Sequence, residues 1–199
     1  AQLYVGLEDQ VSHVLCTRNG CDIVSIHSSL APLSNYRTVT SRRANLGNQP
    51  QLEMGVARAI DLQGLYSETS KFTKGPGLLD SGAGFSLVTQ GWCDRHDLKV
   101  VPMVSQFHQA DRANLGIIVG YVNIFLQVSD HLVIRLERVK VTPSQDYQAL
   151  IGCDVLNGDG KKLGKSIIDL DGNVTWRLLR DNSLHVAPLI PTLDKLQQD

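Results

Sequence analysis

Hydrophobic positions along this chain alternate over short distances and seldom recur at helical spacing. Val and Ile are frequent and long amphipathic helical patterns are rare, so the chain reads as mainly β. His13 to Cys16 and Cys21 to His27 are expected to be two strands. Arg18-Asn19-Gly20 joins them as a hairpin turn, because Asn-Gly tolerates the positive φ that such turns need. Residues 28–51 are rich in Ser, Pro, Asn and Arg and read as loop. Glu53 to Leu65 is expected to form a short helix. From Lys71 the pattern changes, and short strands recur through Val174-Thr175-Trp176. The expected organisation is an N-terminal extension of uncertain structure over 1–66, a compact β domain over 67–180 and a tail over 181–199. The pentapeptide Arg-Ala-Asn-Leu-Gly occurs at 43–47 and again at 112–116, but the flanks do not match, so it marks no structural repeat.

Composition narrows the function classes. The chain has 199 residues, 42% of them hydrophobic, which is enough for one packed core with an extension. The formal net charge is −1 with both signs spread along the chain, so no basic field points to nucleic acid. The longest apolar stretch, Gly116 to Val128, contains Asn123 and Gln127 and is too short and too polar to span a bilayer. The four cysteines, Cys16, Cys21, Cys93 and Cys153, are too few and too spread for a disulfide-built domain. A reducing compartment is the expectation, and the sequon at Asn173-Val174-Thr175 is then idle. No signal peptide is visible and the chain begins with Ala. Its N-terminus is therefore expected to arise by cleavage or by design, from something longer.

The chemistry concentrates in Leu78-Leu79-Asp80-Ser81-Gly82-Ala83-Gly84-Phe85-Ser86-Leu87-Val88. A carboxylate inside an apolar run is expensive unless something uses it. Water-mediated peptide hydrolysis needs a base that takes a proton from water and an acid that gives one to the carbonyl. Two carboxylates held close together can do both, because they share one proton. Gly82 lets substrate backbone approach, and Ser81 can lock the turn by bonding to a neighbouring backbone. Asp-Ser-Gly by itself also fits a turn aspartate that caps a loop.

Asp80-Ser81-Gly82-Ala83 followed by Ser86-Leu87-Val88 resembles the active-site motif of retropepsins, the aspartic proteases of retroviruses and retrotransposons. Ala149-Leu150-Ile151-Gly152-Cys153-Asp154-Val155-Leu156 resembles a second motif near the end of that domain, where two apolar residues and a glycine precede a short helix. Gln109-Ala110-Asp111 and Gly120-Tyr121-Val122 resemble the flap strand and its return. Ile167-Ile168-Asp169-Leu170-Asp171-Gly172 resembles the closing strand pair. The resemblance covers Lys71 to Leu178. It implies a mainly β, retropepsin-like closed β-barrel with one short helix and an active site on a homodimer two-fold axis. Asp80 would be catalytic, with Ser81, Gly82 and Ala83 forming the active-site turn. Gly84, Ala110, Asp111, Ile151 and Gly152 would touch substrate. Ser81 would bond across the two-fold axis. No second Asp-Ser-Gly or Asp-Thr-Gly exists here, so the second carboxylate would be Asp80 of another copy. The chain departs from viral relatives at three places. Gly84 stands where several carry an acidic residue, Cys153 stands where an arginine is common, and the expected flap tip near Asp111-Arg112-Ala113-Asn114 has no glycine until Gly116.

The function so implied is an aspartic endopeptidase that needs no cofactor and no metal. Its partners would be a second copy and a polypeptide, its own polyprotein, in the cytoplasm or a virus-like particle. The alternative is a domesticated domain acting as a dimeric binding scaffold or a host regulatory protease. Other readings carry less. Gly158 to Ser166 lacks the first glycine of a phosphate-binding loop, since Asp159 stands there, and the run precedes a strand. His13, Cys16, Cys21 and His27 have the donor types of a tetrahedral zinc set. The Asn-Gly hairpin explains the same stretch, and strand alternation puts His13 and Cys16 on opposite faces. Cys93 and His96 are expected as surface and packing residues on a short helix. Asp154 is expected to bond locally near a helix start. No Gly-x-Ser-x-Gly elbow is present.

Overall fold

The computed structural model describes residues 22–28, 50–58, 72–108, 115–143, 147–158 and 160–191. The strands are β1 (Asp22–His27), β2 (Gln51–Arg58), β3 (Thr73–Leu79), β4 (Leu87–Thr89), β5 (Val101–His108), β6 (Leu115–Ser129), β7 (Leu132–Thr142), β8 (Ala149–Ile151), β9 (Ile167–Ile168), β10 (Asn173–Arg177) and β11 (Leu184–Pro188). Two short helices join them, α1 (Gln90–Arg95) and α2 (Cys153–Leu156). The expectation of a mainly β chain is met, with a second short helix beside the one implied by the resemblance.

The main sheet runs β1-β7-β4-β8-β3-β2-β6-β5, and an additional β7–β6 pairing closes it. Six strands, β7, β4, β8, β3, β2 and β6, thus form a closed barrel, which leaves those edges paired. One irregularity makes this possible. Val122 faces Val139 and Ile124 faces Leu136, so Asn123 stands opposite two residues of β7. The extra residue, Arg138, takes φ 58°, and its N–H donates to Asn123 Oδ1 at 2.8 Å. Such a bulge bends and twists a strand pair. On one side of it β6 pairs with β5 and β7 with β4; on the other β6 pairs with β2 and β7 with β1. The apolar stretch Gly116–Val128 is thus most of β6. Among the described residues no helix is long and apolar enough to cross a membrane.

The core sits inside the barrel. Leu52, Met54 and Val56 of β2 point inward at every second residue and meet Val122, Ile124 and Leu126 of β6 and Ile134, Leu136, Val139 and Val141 of β7. That alternation corrects the expected helix over 53–65: residues 51–58 are a strand, and 59–65 lie outside the described residues. Glu53 and Ala57 favour helix weakly, and burial of one face overrides such preferences. β1 and β2, which fall within the expected N-terminal extension, both belong to the barrel sheet.

Cys21 to His27 does contain a strand, β1, but it lies parallel to β7, from Asp22 opposite Leu132 to His27 opposite Glu137. Its expected hairpin partner, His13 to Cys16, lies outside the described residues. Helix α1 begins at Thr89, whose side chain accepts from the Trp92 N–H at 3.1 Å. It is the short helix expected around Cys93 and His96, and it buries Trp92 and Cys93, so Cys93 packs in the core and only its surface placement gives way. At the end of the chain, β9, β10 and β11 form an antiparallel sheet. Val174, Trp176 and Ala187 turn into the core, and Ile190 N–H donates to the Gln51 carbonyl. Part of the expected tail, Leu184–Pro188, is therefore a paired strand.

Candidate active site

Asp80 stands where β3 ends. Leu78 and Leu79 are buried, and they run parallel to Leu150 and Ile151 of β8. The Asp80 N–H continues that ladder by donating to the Ile151 carbonyl at 2.9 Å. The chain then turns sharply. Gly82 N–H donates to Asp80 Oδ1 at 2.9 Å, and Ala83 N–H donates to the Asp80 carbonyl at 3.2 Å. An aspartate that binds the backbone two residues on is a self-made turn. It holds one carboxylate oxygen still. Among the described residues the other oxygen, Oδ2, has no hydrogen-bond partner. A half-buried carboxylate with one oxygen anchored and one open can accept a proton from a bound water.

The second sequence motif forms the support under this turn. Cys153 N–H donates to the Ala83 carbonyl at 2.8 Å, and the Cys153 thiol donates to the Ser81 carbonyl at 3.0 Å. Gly152 lies between them, and its N–H donates to Ser86 Oγ at 3.1 Å. A Cβ at Gly152 would stand 2.5 Å from the Phe85 carbonyl oxygen and 2.8 Å from that of Ala83. Only a residue without a side chain lets the two segments approach so closely.

Asp154, in the first turn of α2, ties the assembly together. Its Oδ1 accepts from Ser86 Oγ at 2.7 Å and from Val155 N–H at 3.0 Å. Its Oδ2 accepts from Ser86 N–H at 3.0 Å and from Ser28 Oγ at 2.8 Å. Ser28 and Ser86 are fully buried. Four donors on one carboxylate compensate its burial. The expected local role of Asp154 is therefore met by Val155 and greatly exceeded by the rest. Ser28 is not singled out by the sequence, and Ser86 enters only as part of the motif, with no role, because their partner Asp154 lies 126 and 68 positions away.

Charge around the turn is also arranged. Lys140, on β7, is buried with its Nζ 4.2 Å from the centre of the Phe85 ring. Burial lowers its pKa, while Asp154 pulls it back up. The Cys153 thiol is pushed up, first by burial and then by the negative charges of Asp154 and Asp80. That keeps it a protonated donor toward Ser81.

Of the residues expected at the site, Asp80, Ser81, Gly82, Ala83, Gly84, Ile151 and Gly152 come together here, with Ser81 and Gly84 exposed. Ala110 and Asp111 lie outside the described residues. The strands on either side of them, β5 and β6, pair antiparallel, from Val101 opposite Tyr121 to His108 opposite Leu115. Ile167–Ile168 and Asn173–Arg177 pair as the expected closing strands, with Gly172 at φ 85° in the turn. The run from Gly158 to Ser166 leads into β9, a strand, as expected. Of the zinc alternative only His27 is described, exposed at the end of β1. No group of metal-ligating side chains occurs among the described residues.

No family model matches this chain, and no curated protein matches it by sequence. Among solved structures the chain is similar to the crystal structure of the retroviral protease-like domain of Ddi1 from Leishmania major, at 18% identity and a TM-score of 0.44, over 73% of this chain and 97% of that one.

Proposed function

We propose that this chain is a retropepsin-like aspartic endopeptidase that works as a homodimer. The observation that carries the reading is the Asp80 turn, with Oδ1 held by the Gly82 N–H, Oδ2 open, and Gly152-Cys153 braced beneath. The second carboxylate is not Asp154, since both of its oxygens are occupied by Ser28, Ser86 and Val155. It is Asp80 of a second copy. Two such carboxylates share one proton, because both cannot ionise comfortably at close range. The ionised one takes a proton from water, which attacks the peptide carbonyl, while the protonated one gives its proton to the carbonyl oxygen. Gly82 and Ala83 form the floor of the cleft, and the β5–β6 hairpin closes over the substrate. The substrate is the chain's own polyprotein, cut in the cytoplasm or in a virus-like particle. No cofactor enters this scheme.

The test is cleavage of a longer precursor containing this chain, at mildly acidic pH, beside the same precursor with Asp80→Asn. The substitution keeps the shape and removes the shareable proton. The reading expects cleavage of the first and none of the second. If neither is cut while the chain is dimeric, the protease reading fails and a binding scaffold replaces it.

A further inference from the structure

We propose that Ser28 is a positioning residue for the Asp80 turn, acting through Asp154. The catalytic consequence rests on the protease reading above; the structural coupling does not. Ser28 immediately follows β1, and its N–H donates to the Glu137 carbonyl at 2.8 Å, continuing the β1–β7 ladder. Its backbone is therefore held by the barrel wall. Its hydroxyl reaches away to Asp154 Oδ2 at 2.8 Å. The same oxygen accepts the Ser86 N–H, and the other accepts the Ser86 hydroxyl. The Ser86 hydroxyl in turn accepts the Gly152 N–H. An unbroken chain of hydrogen bonds thus runs from β1, through α2, to both segments that shape the Asp80 turn.

The two serines of this chain are screened from bulk water, while the Asp154 carboxylate between them is half-buried. Ser28 and Ser86 are fully buried, and the Gly152 N–H bond to Ser86 lies in the interior. Hydrogen bonds to charged groups are the strong ones, and the fully buried Ser28 hydroxyl is one of four donors to the half-buried Asp154 carboxylate. Without the Ser28 hydroxyl, Asp154 Oδ2 keeps only the Ser86 N–H, and nothing holds the carboxylate plane from the β1 side. Asp154 then turns, and both Ser86 contacts weaken together, as members of a polar network do. It follows that β1 and Ser28 are part of the support of the site.

The experiment compares the full chain with Ser28→Ala, and with Ser25→Ala as a control on the same strand. Ser25 lies opposite Arg135, and its side chain is not among the donors to Asp154. The readouts are amide hydrogen exchange, residue by residue, and the steady-state constants for precursor-derived peptide cleavage. In Ser28→Ala the Ser86 and Gly152 amides should exchange about ten- to a hundredfold faster, with the β6 and β7 amides unchanged. If the protease reading also holds, kcat falls about tenfold with KM unchanged. Ser25→Ala should alter neither. Faster exchange at Ser86 and Gly152 in a chain that cleaves nothing supports the coupling and sinks the protease reading alone. A wild type that cleaves, beside a Ser28→Ala variant with unchanged exchange and kcat, overturns the inference and leaves the protease reading standing. Exchange that rises equally throughout β6 and β7 also overturns it, since Ser28 would then be a general stabiliser.

Discussion

The Ser86 hydroxyl donates to Asp154 Oδ1 at 2.7 Å, and through this bond the strand leaving the Asp80 turn is fastened to the first turn of α2. The two residues are 68 positions apart in the chain. The bond makes one structural unit of two short motifs that are meaningless separately. Replacing Ser86 by Ala removes a donor to a charged, part-buried acceptor and takes the acceptor from the Gly152 N–H. Ser86→Ala should lower stability by roughly 1.5–3 kcal/mol. Urea unfolding, with the slope unchanged, measures it. An unchanged midpoint would show that Asp154 does not join the motifs energetically.

Gly152 is the point of closest approach between those motifs. Gly152→Ala would drive a methyl group against the carbonyl oxygens of Phe85 and Ala83, which are backbone atoms and cannot rotate away. The loss of stability should be about 1–3 kcal/mol, in the range of an overpacked core. Cleavage should suffer beyond that, because the displaced segment is the Asp80 turn itself. Unfolding midpoints and peptide cleavage at a temperature where the variant is fully folded separate the two effects.

Cys93 gives the chain a stability that depends on alkaline pH. Burial, and then the nearby charge of Asp94, raise its thiol from 9.0 to about 12. The folded state keeps the proton through an interval in which the unfolded state has lost it. The contribution is therefore complete below pH 9 and falls as pH rises toward about 12, at about 1.4 kcal/mol per pH unit. Lys140 works in the opposite direction, since its pKa is lowered: its contribution is lost as pH falls. The measurement is thus a difference between wild type and Cys93→Ala across the alkaline range. The slope should be shallower in the variant, and identical slopes would contradict the assignment.

What could be read from the residues themselves was local. Asp80 to Val88 and Ala149 to Leu156 are contiguous runs, and the structure brings them together with Gly152 facing the turn. The β5–β6 and β9–β10 pairs were legible for the same reason: each is a neighbour pair in the chain. β2 was misread although Leu52, Met54 and Val56 alternate cleanly. Its Glu, Met and Ala favour helix, and the polar stretch after it continued that pattern. The place of β1 carried no local signal at all, because its partner β7 begins more than a hundred positions later and lies parallel to it. Ser28 is invisible for the same reason. A buried hydroxyl earns its meaning only from a partner that the fold delivers.

In the homodimer proposed above each site is made from Asp80 of two copies, and subunit mixing tests this. Wild-type chain is unfolded, mixed with Asp80→Asn chain and refolded together, and cleavage of a precursor-derived peptide is followed at fixed total concentration. If each site needs both carboxylates, an equal mixture retains only the pairs with two wild-type members, about a quarter of the activity of wild type alone. Retention of about half would mean that each chain works by itself with a single carboxylate, and would contradict the account.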